Sequence, residues 1–207
     1  MNLQKALSNV RTKDPQSVSK IIIACVVTLA LGIVFGVAAK AVDNISILGE
    51  LGTRLGIWIV IAALIAAYSP SATTAAIKTF IFFAAMLSAY YLYTLMFHDF
   101  FPRQYAIAWG VFAILSPIAG FVVWYGKGNG WIAAICSAFP VALVIAESYS
   151  FYYILSPVSG ISLLGGIALI AFIPSGWKQK IISFGLSIVF AVVISQLRIL
   201  SILFGGL

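Results

Sequence analysis

Charge is what this sequence has least of. Asp, Glu, Lys and Arg make up 8% of its 207 residues, against about a quarter in an ordinary soluble domain. So few charges cannot coat a water-facing surface. The hydrophobic share, 63%, exceeds what one soluble core accommodates. Lipid is the solvent that reconciles the two facts. Histidine occurs once, at His98, and cysteine twice, at Cys25 and Cys136. No CxxC and no second histidine accompany them, so the sequence offers neither a metal site nor a cofactor-ligating set. Both cysteines sit in apolar runs and read as small buried hydrophobes. His98, beside Asp99 and ahead of Pro102-Arg103, reads as a loop histidine. HExxH, GxSxG, Gly-x-Gly-Asp and P-loop motifs are all missing, so neither an enzyme nor a nucleotide-driven pump is expected. No cleavable signal is evident, because the first apolar run lacks a clean small-x-small exit and is long enough to span.

What is there is a series of apolar runs behind a basic head. Residues 1–20 carry Lys5, Arg11, Lys13 and Lys20, with an Asp14-Pro15 break that predicts a short interfacial helix and then a turn. Residues 21–207 read as an all-α, polytopic transmembrane bundle of about seven spans. The runs are Ile21–Ala39, Ile47–Tyr68, Ala75–Phe97, Tyr105–Tyr125, Trp131–Leu155, Ile161–Ile173 and Ile181–Phe204. The sixth is short for a span, which is met by a start nearer Val158, by little tilt, or by partial burial in the bundle. The formal charge of +7 reads as positive-inside bias, not as a nucleic-acid footprint. With the N-terminus inside, Lys78, Lys127, Lys178 and Lys180 join the basic head on the inner side. Lys40, Arg54, Arg103 and Arg198 fall outside, and the C-terminus ends outside. Tyr68, Trp124, Tyr125, Trp131 and Trp177 are then expected at the inner interface, and Trp58, Tyr93, Tyr105, Tyr152 and Tyr153 toward the outer one. The segment from Lys40 to Arg54 is amphipathic enough to lie on the membrane as a cap.

Small residues recur every fourth position in three runs. The first has Ala24, Thr28, Gly32 and Gly36; the fifth has Ala134, Ala138, Ala142 and Ala146; the last has Ser183, Ser187, Ala191 and Ser195. Each stripe lets a neighbouring backbone approach. Packing within the chain is the first expectation. A docking face for a membrane-protein partner at Gly32 and Gly36 is the second. Pro117 and Pro140 fall inside spans and are expected to kink them.

Ionisable residues at lipid depth are the sharpest signal. Glu147 in the fifth run and Arg198 in the seventh lie at similar heights, so a shared polar site is expected. Arg103 and Lys40 are the alternative partners of Glu147 by depth. With Tyr90, Tyr93, Tyr149 and Tyr152 as walls, Glu147 and Arg198 form the candidate solute site. Its walls are expected from the third, fifth and seventh spans. The expected role is a solute-binding or transporting component. The alternative is a non-transporting subunit or assembly factor that docks through its small-residue faces. The two differ in an observable way: a cavity favours the first, a filled core with an exposed glycine groove the second.

Leu55-Gly56-Ile57-Trp58 through Ala66-Ala67-Tyr68-Ser69 resembles an uncharacterised family of small bacterial membrane proteins. So do Ser88-Ala89-Tyr90-Tyr91-Leu92-Tyr93 and Trp124-Tyr125-Gly126-Lys127-Gly128-Asn129-Gly130-Trp131. The resemblance covers most of the chain and implies residence in a bacterial cytoplasmic membrane, with no activity attached. More loosely, the chain is similar to substrate-binding components of energy-coupling-factor vitamin transporters. Those dock a partner through small residues on the first helix, a use Gly32 and Gly36 would fit. They have six spans where this chain has about seven.

Overall fold

The structure, a computed structural model, describes residues 9–98, 101–148 and 156–197. Its helices are α1 (Val18–Ala41), α2 (Ser46–Thr53), α3 (Leu55–Ala67), α4 (Ala72–His98), α5 (Arg103–Tyr125), α6 (Gly130–Glu147), α7 (Pro157–Phe172) and α8 (Trp177–Gln196). Five of them, α1, α4, α5, α6 and α8, are long and apolar enough to cross a membrane. The pair α2–α3, bent by 60°, makes a sixth if counted as one span. These are the helices of a multi-pass membrane protein. Their outward faces agree: Ile22, Val34, Ile114, Ile118, Leu164 and Val189 are all more than half exposed, a surface that only lipid solvates well.

The thirteen-residue α3 is the axis of the bundle. It packs against α4 and α5 on one side and against α6 and α7 on the other, while α1 lies on α4 and α8 on α6. Nine of its residues are buried. Phe82 and Phe83 of α4 and Leu169 and Ile173 of the α7 region complete the core. A chain of edge-on rings, Phe35–Phe82–Phe83–Phe112, ties α1, α4 and α5 together at centroid distances of 6.4, 5.4 and 5.2 Å.

The stripes of small residues meet within the chain. Ala134, Ala138 and Ala142 of α6 are fully buried, as are Ser183 and Ser187 of α8. Ser137 Oγ and Ser183 Oγ hydrogen-bond at 2.7 Å between these two helices, and Ser187 Oγ donates to Phe184 O at 2.7 Å. Gly32 and Gly36 lie against α4. A Cβ on Gly32 would stand 2.7 Å from Phe82 O and 2.9 Å from Ala85 Cβ; one on Gly36 would collide with Met86 O. The face expected to be able to receive a partner helix is therefore filled by α4.

One end of the bundle gathers residues 10–14, 67–70, 124–129 and 172–179. Residues 9 and 10 are helical, and residues 11–17, without regular secondary structure, lead from them to α1. There Asp14 N donates to Pro70 O and Asn129 N to Val10 O, both at 2.9 Å. Ser175 Oγ donates to Lys127 O at 2.7 Å, and Lys127 Nζ sits 3.4 Å from the centroid of the Tyr68 ring. Trp124 lies at this end but packs inside the bundle: it is 2% exposed, with Nε1 donating to Ser69 O at 2.7 Å. Trp58, assigned to the other belt, is likewise buried. Tyr68, Trp131 and Trp177 are exposed, as belt residues are.

Neither proline interrupts its helix. Pro117 deprives Ala113 O of its ordinary i+4 donor, and Ser116 Oγ replaces that donor at 2.7 Å. At sixteen residues α7 is about 24 Å long, short of a hydrocarbon core of about 30 Å. It nevertheless runs beside α3 in the same direction: Ser162 lies by Gly56, Gly165 by Val60, and Phe172 O receives Tyr68 OH at 3.3 Å.

Candidate binding cavity and the broken helix

The second apolar run does not form one helix. It breaks at Arg54, which has extended backbone angles (φ −78°, ψ 140°). No proline lies between Ser46 and Ala67. The break is accounted for by where the backbone groups go. In an unbroken helix Gly52 O would accept from Gly56 N–H. Here Gly52 O accepts from Trp58 Nε1 at 2.9 Å. The N–H groups of Leu55 and Gly56 instead face the carboxylate of Glu147, the last residue of α6. The Glu147 carboxylate thus lies beside the first turn of α3, the end of a helix that favours a negative group. Gly56 makes this approach possible, since a Cβ there would stand 2.6 Å from Glu147 Oε2 and 3.1 Å from Ser162 Oγ.

Of the charged groups on the broken helix, Arg54 and Glu50 act on Glu147 electrostatically, Arg54 the more strongly. They are joined to each other, Arg54 Nη2 to Glu50 Oε1, at 2.7 Å. Neither of the alternative partners expected for Glu147, Arg103 and Lys40, forms an ion pair with it among the described residues. Lys40 is paired with Asp43 at 2.5 Å, and Arg103 is exposed at the start of α5. Arg198, Tyr149 and Tyr152 lie outside the described residues, so the proposed Glu147–Arg198 site falls there in part.

On the opposite face of the broken helix is a cavity of about 320 Å³. Trp58, Tyr90, Tyr91, Tyr105 and Trp109 form most of its wall, with Met86 at one side and Gly52 and Thr53 of α2 at the rim. Trp58 is held by its bond to Gly52 O and by an edge contact with Phe35 at 6.1 Å. Tyr90 meets Tyr91 edge-on at 5.3 Å, and Lys40 Nζ lies 5.5 Å from the Tyr90 ring. Rings at several angles around a space of this size suit a small apolar or aromatic guest.

The cavity belongs to α1 through α5, not to the third, fifth and seventh runs. Tyr90 lines it. Tyr93 does not: it stacks on Phe97 with centroids 4.5 Å apart. Glu147 does not either, being behind α3. The sequence pattern places Trp58 and Tyr105 in the outer belt and gives Tyr91 and Trp109 no place in a site. For Tyr91, Tyr105 and Trp109 the signal is the density of aromatics on the third and fourth runs; Trp58 stands alone on the second. A second hollow, an apolar groove of about 780 Å³ between α6, α7 and α8, has Ser195 and Gln196 as its polar edge. Ser195 thus lines a groove and is only half-buried, unlike Ser187.

Compared with known proteins, the chain matches no family model, no curated protein and no solved structure.

Proposed function

We propose that this chain is a bacterial cytoplasmic-membrane protein that captures a small apolar or aromatic solute from the outer side, as a binding or transporting component. The reading is of seven crossings, with the Arg11 end cytoplasmic and the aromatic cavity near the outer surface. The observation that carries it is the cavity walled by Trp58, Tyr90, Tyr91, Tyr105 and Trp109. Its companion is negative for the docking alternative: the glycine face of α1 is occupied by α4. Binding is proposed, not catalysis.

The test is a screen of the purified chain in detergent over vitamins, amino acids and lipids, read by thermal unfolding and tryptophan fluorescence. A true ligand raises the unfolding midpoint in proportion to the logarithm of its concentration above Kd. It also perturbs Trp58 and Trp109 emission. Tyr91→Ala should lose at least tenfold in affinity, about the loss of one well-packed aromatic contact. A ligand whose affinity is unaffected by Tyr91→Ala and Trp109→Ala binds elsewhere, and the cavity reading fails.

A further inference from the structure

Four buried polar atoms meet no hydrogen-bond partner among the described residues: Glu147 Oε2 and the hydroxyls of Ser148, Ser159 and Ser162. The three serines are each 1% exposed. They are not scattered. Ser148 follows Glu147 at the end of α6. Ser159 and Ser162 are three apart on α7 and so share a face. Ser162 Oγ and Glu147 Oε2 converge on Gly56, 3.1 and 2.6 Å from where a Cβ would stand. An unpartnered hydroxyl in a low-dielectric interior is costly, and three of them with one carboxylate oxygen on the adjoining helices α6 and α7 point to a missing occupant.

The chemistry of the walls selects the occupant. All four atoms are oxygens, the ligand type of hard cations. With both carboxylates ionised, Glu147, Glu50 and Arg54 carry a formal charge of one negative unit. No group of three or more His, Cys, Asp or Glu side chains converges among those residues, so a divalent ion would be under-neutralised. We propose that Glu147, Ser148, Ser159 and Ser162 bind a monovalent alkali cation behind the break between α2 and α3. Gly56 and Trp58 are two residues apart and so point to nearly opposite sides of α3. The ion and the aromatic cavity are therefore separate sites sharing one wall, and the ion site stands whether or not the cavity binds a solute.

The full-length chain in detergent is unfolded thermally in sodium chloride, potassium chloride and N-methyl-D-glucamine chloride at equal ionic strength. Sodium or potassium should raise the midpoint by several degrees, saturably, over the organic cation. The double variant Ser159→Ala/Ser162→Ala should keep the midpoint seen in N-methyl-D-glucamine and lose the alkali increment. Removing hydroxyls that lack a partner costs little in the ion-free protein, so this variant folds even where Glu147→Gln does not. Equal midpoints in all three salts overturn the proposal. So does a serine variant that is destabilised equally in every salt, which would assign the space to water. A salt-independent loss in Arg198→Gln equal to that in Glu147→Gln would also overturn it, by making Arg198 the counter-charge.

Discussion

Arg11 shows how one side chain can close a membrane bundle. Its Nη1 donates to Ala67 O at 2.9 Å and to Trp124 O at 2.6 Å, and Nη2 reaches Ser69 O at 3.4 Å. Ala67 ends α3 and Trp124 lies in the last turn of α5. A cation thus sits where two helices expose unpaired carbonyls and the negative ends of their dipoles. The guanidinium also lies 4.2 Å from the centroid of Trp124. Burial lowers its pKa from the ordinary value, with Asp14 opposing, but an arginine remains charged at any working pH. Arg11→Ala should cost about 2–3 kcal/mol, the range for hydrogen bonds to a charged group plus the orphaned carbonyls. Arg11→Lys should recover only part, because an ammonium lacks the fork that serves both carbonyls and the flat face that stacks. Chemical unfolding in mixed micelles, followed by Trp emission, measures both; an alanine variant as stable as the parent would show that the head does not hold the bundle. The sequence marked Arg11 as basic and inner. It could not mark it as a cap, because its acceptors are 56 and 113 residues away.

At the scale of elements, what was legible depended on whether the cause was local. The four-residue stripes were readable because helical periodicity alone puts Gly32 beside Gly36 and Ser183 beside Ser187. Their partner helices were not readable, since packing of α1 on α4 is set by surfaces far apart in sequence. The break in the second run was invisible for a related reason. Breaks are read from proline, and this one is held by Trp58 Nε1 on Gly52 O and by Glu147 facing Leu55 and Gly56. Conversely the proline at position 117 was legible, but Ser116 offsets its missing bond. Two outcomes follow from this division. Gly36→Ala should destabilise by about 1–3 kcal/mol, the range for overpacking, because the added Cβ meets the backbone of α4 at Met86 and not a side chain that could rotate away. Gly110→Ala should be neutral, since a Cβ there meets nothing within 4 Å. Equal melting of the two variants in detergent would mean the α1–α4 contact contributes nothing to stability.

The whole molecule has two ends of different chemistry, and that difference fixes an experiment. Hydrogen bonds link the segments around Val10, Pro70, Lys127 and Ser175 at one end. Lys40, Asp43, Glu50, Arg54 and Glu147 belong to the other, around the cavity and the broken helix. The sorting of loops into these two groups was legible from alternation of the apolar runs alone. The number of crossings was less so, because α7 is short and α2–α3 is bent. The proposed orientation rests on the basic residues: Arg11, Lys13, Lys127, Lys178 and Lys180 share the first end, and the positive-inside rule would put such an end in the cytoplasm. Single cysteines should be introduced at Lys13, Asn44, Arg103 and Lys178, all exposed, in a background with Cys25 and Cys136 replaced by Ala. In intact cells an impermeant maleimide should label the Asn44 and Arg103 positions and leave Lys13 and Lys178 unlabelled until the membrane is opened. The reverse pattern would invert the protein and put the aromatic cavity at the cytoplasmic face, so that any solute would be received from inside. Labelling of Asn44 and Lys178 alike would be more damaging. It would mean that α7 and α3, parallel neighbours sharing Ser162–Gly56 and Phe172–Tyr68 contacts, do not carry the chain between two aqueous sides, and the two-ended bundle would have to be abandoned.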